Sequence, residues 1–143
     1  MSETQAARPR KLPPESLYTD TGGFWQGTRD GKLMLQFCPQ SGRFQHFPRP
    51  ISLYTGTRNL EWRAVSGKGA IYAITALRTP GLGADARLPC VLALVELDEG
   101  VRIVANIPAA QPGQLKIGDR VTLAWDELAD GRYPAFAPET QLG

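Results

Sequence analysis

The chain has 143 residues, 42% hydrophobic and 21% charged, an ordinary globular composition and about one domain's worth of length. Cys38 and Cys90 are the only cysteines and His46 the only histidine, so the chain cannot by itself supply the four Cys/His ligands of a structural zinc site. Sixteen Lys and Arg against 14 Asp and Glu leave a net charge of +2, which does not build the concentrated basic face that nucleic-acid binding usually shows.

Positions 1–14 carry Arg8, Arg10 and Lys11 beside Pro9, Pro13 and Pro14 and read as a flexible, solvated arm. No apolar signal-peptide core and no stretch near ~18 consecutive apolar residues is present, so the expected address is the cytoplasm, with no membrane partner. Two cysteines without an obvious mate fit that reducing compartment. In ESLYTDTGGFWQGTRD (15–30) the Gly22-Gly23 break limits any helix to a short one beginning near Thr21. The adjacent Phe24 and Trp25 form an anchor that packs either in the chain's own core or on a partner. After the Asp30-Gly31 turn, LMLQFC (33–38) and RFQHFP (43–48) read as two strands of a small hairpin; Pro48 and Pro50 end the second, and ISLYTGTRN (51–59) is a loop.

Beyond Asn59 the pattern becomes a series of strands: LEWRAV (60–65), AIYAITAL (70–77), CVLALVEL (90–97), VRIVANI (101–107), RVTLAWDEL (120–128) and RYPAFAP (132–138). Val101, Ile103, Ala105 and Ile107 alternate with Arg102, Val104 and Asn106, which marks one buried face. Five or six such strands, with Gly67 and Gly69 placed to bend the first, describe a small antiparallel barrel.

In this order the runs FWQGTRDGKLMLQFCPQSGRFQHFPRP, NLEWRAVSGKGAIYAIT, VLALVELDEGVRIVANI and LKIGDRVTLAWDEL resemble the DUF35 family, over nearly everything from Phe24 to Pro138. The resemblance implies a mainly β chain. A short helical piece and a rubredoxin-like ribbon (15–58) would precede a C-terminal OB-fold, a five-stranded antiparallel barrel (59–143). Members that hold zinc carry two Cys-x-x-Cys knuckles on the ribbon; here the corresponding positions are Cys38, Ser41, Ser52 and Thr55. Neutral hydroxyls are poor zinc ligands, so the expectation is a degenerate ribbon without metal and without other cofactors. Packing of Phe37, Phe44, Phe47, Leu53 and Tyr54 is expected to replace the metal.

No catalytic constellation is legible. Cys38 has no neighbouring His or cation to stabilise a thiolate and reads as a relic of the knuckle, while Cys90 opens an apolar strand as a small buried hydrophobe. His46 lacks an orienting partner and a nucleophile. Glu96, Asp98 and Glu99 flank a hairpin tip, and Asp126 and Glu127 follow Trp125; at turns such carboxylates mostly solvate. Ser66-Gly67-Lys68-Gly69 lacks phosphate-loop spacing and reads as a strand bend.

The resemblance implies a non-catalytic accessory protein, not an enzyme, associated with thiolase-like or hydratase-like enzymes acting on acyl-CoA. Partner contacts would fall on Phe24, Trp25, Phe44, Phe47 and Tyr54, and the phosphates of a bound CoA on Arg43, Arg49, Lys68, Arg78 and Arg87. The alternative is a module for single-stranded nucleic acid, built on Trp62, Arg63, Lys68, Tyr72 and Arg78. Self-association is left open.

Overall fold

Residues 20–79, 88–128 and 131–139 of the computed structural model are described here. The 1–14 arm and Arg87 lie outside them, as does most of the 79–89 loop. Among the described residues there is one short helix, α1 (Gly22–Arg29), with Thr21, near which it was expected to begin, as its N-cap. It turns Phe24, Trp25 and Thr28 inward, and the Thr28 hydroxyl donates to the Trp25 carbonyl at 2.8 Å, so a buried polar group is satisfied within its own turn. At Gly23 the helix runs against Trp62, whose indole occupies the space of a Cβ.

The ribbon is a three-stranded sheet, β2 (Arg43–Gln45), β1 (Met34–Cys38) and β3 (Glu61–Ala64), with β1 central and antiparallel to both neighbours. β3 belongs to the run expected to begin the barrel. It pairs instead with β1, placing Trp62 opposite Gln36. The barrel sheet runs β6 (Arg102–Asn106), β5 (Cys90–Leu97), β4 (Lys68–Leu77), β7 (Arg120–Leu128) and β8 (Gly131–Pro138), all pairs antiparallel. Its two edges, β6 and β8, approach one another and nearly close the cylinder. Among the described residues no helix is long and apolar enough to cross a membrane.

β4 serves both halves of the barrel, pairing with β5 along its length and with β7 through Lys68, Gly69 and Ala70. The bend expected at the glycines is present at Gly67, whose φ is +75° between β3 and β4, and a register shift between Ile71 and Ala73 adds a second irregularity further along β4. Gly69 has a different role: β5 passes so close that a Cβ there would strike the Glu96 carbonyl oxygen and lie 2.9 Å from the Val95 side chain. Because backbone cannot swing aside, Gly69→Ala is expected to destabilise the fold by about 2 kcal/mol, measured by urea unfolding.

The alternation read from sequence is realised: Val101, Ile103, Ala105 and Ile107 are buried, and so are Val91, Ala93, Val95 and Leu97 on the paired strand. A single apolar cluster takes in both halves, joining Phe24 and Trp25 of α1 and Leu35 of β1 to Val95, Val121 and Phe136 of the barrel. Trp25 is the join. Its ring meets Phe24 edge-on at 4.8 Å and Tyr133 of β8 at 5.4 Å.

Candidate functional site

Phe24 and Trp25, read as an anchor for either the core or a partner and named among the expected partner contacts, are only 8% exposed each, so they pack in the core. Phe44 is half-buried against Phe37, with ring centroids 4.9 Å apart. Phe47 and Tyr54 are 63% and 42% exposed, and Leu53 beside them 52%. The aromatic filling expected in place of the metal is therefore confined to Phe37 and Phe44; the other three side chains face outward, because the interior they would fill is taken by amides.

Those amides belong to Gln36 and Gln45, facing residues of β1 and β2 that are 2% and 1% exposed. The Gln45 Nε2 donates to Gln36 Oε1 at 2.8 Å and to the Ile51 carbonyl at 3.1 Å, while its Oε1 accepts the Leu53 N–H at 2.9 Å. Gln36 clamps Arg49 through both backbone groups, accepting its N–H and donating to its carbonyl at 2.8 Å each. Two side chains thus fix the backbone at positions 49, 51 and 53, and every buried amide group has a partner. Residue type gives no hint of this, since glutamine is ordinarily an exposed residue.

Next to the clamp the four knuckle positions converge. The Cys38 Sγ lies 3.9 Å from the Thr55 Oγ1, and the Ser41 hydroxyl reaches the Cys38 carbonyl at 3.5 Å. Ser52, 1% exposed, accepts the backbone N–H groups of Tyr54 and Thr55 at 3.1 and 3.3 Å. Hydrogen bonding from the Ser41 and Ser52 hydroxyls, helped by Thr55 and opposed by burial, draws the Cys38 thiol down to about 7. The other three knuckle positions thus lower the thiol by hydrogen bonding, without the His or cation whose absence the sequence showed. One thiol and three hydroxyls lack the charge and softness that zinc selects, so the donor set does not fit the metal. Among the described residues no group of three or more His, Cys, Asp or Glu side chains is placed to hold a metal ion.

A groove of about 390 Å³ separates this ribbon loop from the outer face of β5 and β6. Phe47, Leu53 and Tyr54 form one wall, Leu94, Val104 and the Glu96–Arg102 pair the other, and Val104 is 54% exposed. His46 lines the same groove, 4.7 Å from the Phe47 ring and 5.6 Å from Phe24, and its Nδ1 has no partner. Burial lowers its pKa to about 4, so the imidazole is neutral at pH 7. A second cavity, about 380 Å³, opens beside Cys90, Asn106 and Asp126; Cys90 is half-buried there, more open than expected.

The expected cations do not converge on one ligand. Arg43 and Arg49 belong to the ribbon, whereas Lys68 begins β4 and Arg78 follows its end, about 30 Å apart at the usual strand rise. The residues expected to read single strands divide likewise: Arg63, over the Phe37 ring at 3.8 Å, and Trp62 belong to β3, while Tyr72 lies in β4 under Arg102 at 3.6 Å. The hairpin carboxylates are structural. Asp98 grips Arg120 with two bonds of 2.9 and 3.0 Å, which holds its carboxyl below the ordinary range, and Glu99 accepts the Ser66 N–H at 2.9 Å.

Residues 62–126 match the family described as ChsH2, C-terminal OB-fold domain. A Thermomonospora curvata protein named "Probable enoyl-CoA hydratase alpha subunit" is 30% identical over 96% of this chain, which spans 43% of that relative's length. A DUF35 domain-containing scaffold protein of Pyrococcus furiosus is 31% identical over 75% of this chain and 79% of its own length. The solved structure titled Ltp2-ChsH2(DUF35) aldolase is similar with a TM-score of 0.80 and 28% identity, covering 89% of this chain and 98% of that one.

Proposed function

Because the chain belongs to the DUF35 family, we propose that it is a non-catalytic accessory subunit of a thiolase-like or hydratase-like enzyme acting on acyl-CoA. The observation that carries this reading is the rigid, outward-facing apolar wall of Phe47, Leu53 and Tyr54, supported from behind by Gln36 and Gln45. Ordering a surface before binding removes an entropic cost of association, which suits a scaffold. Relatives named as a hydratase alpha subunit and as a scaffold protein, and the structural neighbour titled as an aldolase, support the same class of assembly. Co-expression with the thiolase-like and hydratase-like enzymes of its own organism tests it. The chain is expected to co-elute with one of them in fixed stoichiometry through size exclusion and to raise its activity; elution as a free chain beside both enzymes overturns the reading.

The ribbon of this subunit works without zinc in the same reading, its knuckles closed by hydroxyls. A chelator is expected to leave the melting temperature unchanged. The Ser41→Cys/Ser52→Cys/Thr55→Cys variant rebuilds a Cys₄ set and is expected to take up one zinc per chain, with a melting temperature that falls again on chelation. Stoichiometric zinc in the unmodified protein would contradict it.

A further inference from the structure

Apart from β3, the ribbon differs from the rest of the molecule in charge. Between Gly31 and Leu60 the sequence holds Lys32, Arg43, Arg49 and Arg58 and no Asp or Glu. Arg43, Arg49 and Arg58 are exposed, and among the described residues no carboxylate pairs with any of the three. Outside positions 31–60 six carboxylates show the reverse pattern, the first of them in the ribbon's own β3. Glu61, Glu96, Asp98, Asp119, Glu127 and Glu139 are each engaged by a cation of this chain. The unpaired arginines lie in the same stretch as Phe47, Leu53 and Tyr54, and Arg43 sits over the Tyr54 ring at 5.2 Å. Exposed apolar residues scattered singly are ordinary; several along one groove, with Arg43 over one of them and Arg49 and Arg58 exposed in the same chain segment, are not.

We propose that this part of the ribbon, apolar along the groove wall of Phe47, Leu53 and Tyr54, cationic at Arg43 against that wall and at Arg49 and Arg58 exposed in the same segment, docks a protein surface with an apolar centre and a carboxylate rim. That the docked protein is the acyl-CoA enzyme rests on the reading above; the chemistry of the face does not. A second copy of the chain is a poorer occupant, because six of its 14 carboxylates are already paired with its own cations. A polyphosphate would use the arginines and leave the apolar wall in water. Carboxylates opposite the three arginines and apolar side chains opposite Leu53 satisfy both parts at once.

The test measures the affinity of the complex with the co-eluting enzyme at low salt for three variants whose folding is checked by circular dichroism. Arg43→Glu/Arg49→Glu/Arg58→Glu is expected to weaken it about tenfold or more through slower association, with the salt dependence largely lost. Leu53→Asp is expected to weaken it similarly through faster dissociation. Lys116→Glu, on the 108–119 loop, is the control and stays within about twofold of the unmodified chain. A complex that forms equally well with both face variants overturns the proposal and leaves the accessory role standing. If neither enzyme joins the chain, the accessory role falls and the face is read with 8-anilinonaphthalene-1-sulfonate, an apolar anion. Fluorescence enhancement by the folded chain that either face variant abolishes supports the face, and no enhancement overturns it. Binding of coenzyme A lost in the arginine variant but kept in Leu53→Asp, with complex formation untouched, would overturn it in favour of a phosphate site.

Discussion

Gln45→Ala is expected to lower the unfolding free energy by about 3 kcal/mol, far more than truncating an ordinary strand glutamine. The amide gives two hydrogen bonds, to Gln36 and to the Ile51 carbonyl, and receives one from the Leu53 N–H, at a side chain that is 1% exposed. Truncation takes the side-chain partner from the part-buried Ile51 carbonyl and Leu53 N–H and one bond from the buried Gln36 amide, and each polar group left unsatisfied away from water costs about 1–3 kcal/mol. Gln45→Glu separates hydrogen bonding from packing. Its carboxylate accepts from Leu53 but faces two oxygens where the amide donated, so it is expected to destabilise at pH 7 and to recover when acid protonates the new group. Urea unfolding measures the loss, and amide exchange at positions 49–53 locates it. Equal stability of Gln45→Ala and the unmodified chain would refute the clamp.

The second large effect is a dependence on pH. His46 has a folded pKa of about 4 against an ordinary value of 6.5, the shift caused by burial. The folded state therefore resists the proton that the unfolded state accepts. Above pH 6.5 both states are neutral and the stability is fully present; from 6.5 down to about 4 it drains away, by up to about 3 kcal/mol in all. Asp98 and Asp119, whose carboxyls are held below 3.8 by Arg120 and Lys116, lose their contributions only at lower pH, so the window between 6.5 and 4 isolates the histidine. Urea midpoints at pH 7 and pH 4.5 are expected to differ strongly in the unmodified chain and to come together in His46→Leu. A slope that persists in that variant would assign the effect to another group.

Much of the barrel was legible, because its strands alternate cleanly and turns separate them: Val101 to Ile107 were assigned face by face, and the short helix was expected near Thr21. The partner of Glu61–Ala64 was not, since β3 reads as an ordinary strand and only register decides which sheet it joins. Phe24 and Phe47 look alike in sequence, yet the first is buried by a helix facing two sheets and the second lies in a loop with no interior to reach. The clamp was illegible because Gln36 and Gln45 belong to a residue type that sequence places on the surface. The convergence of Cys38, Ser41, Ser52 and Thr55 was accessible only through family resemblance, as spacing alone does not bring hydroxyls together.

The position of α1 has a mechanical consequence. Trp62 of β3 lies against Gly23 on one side, Tyr133 of β8 meets Trp25 on another, and both contacts fall within a single turn of helix. A push or twist delivered to the ribbon passes through that turn into the barrel wall with little slack, because close-packed aromatic rings transmit strain and do not absorb it. Ribbon and barrel are therefore coupled through one turn of helix, so a load on β3 is shared with β8.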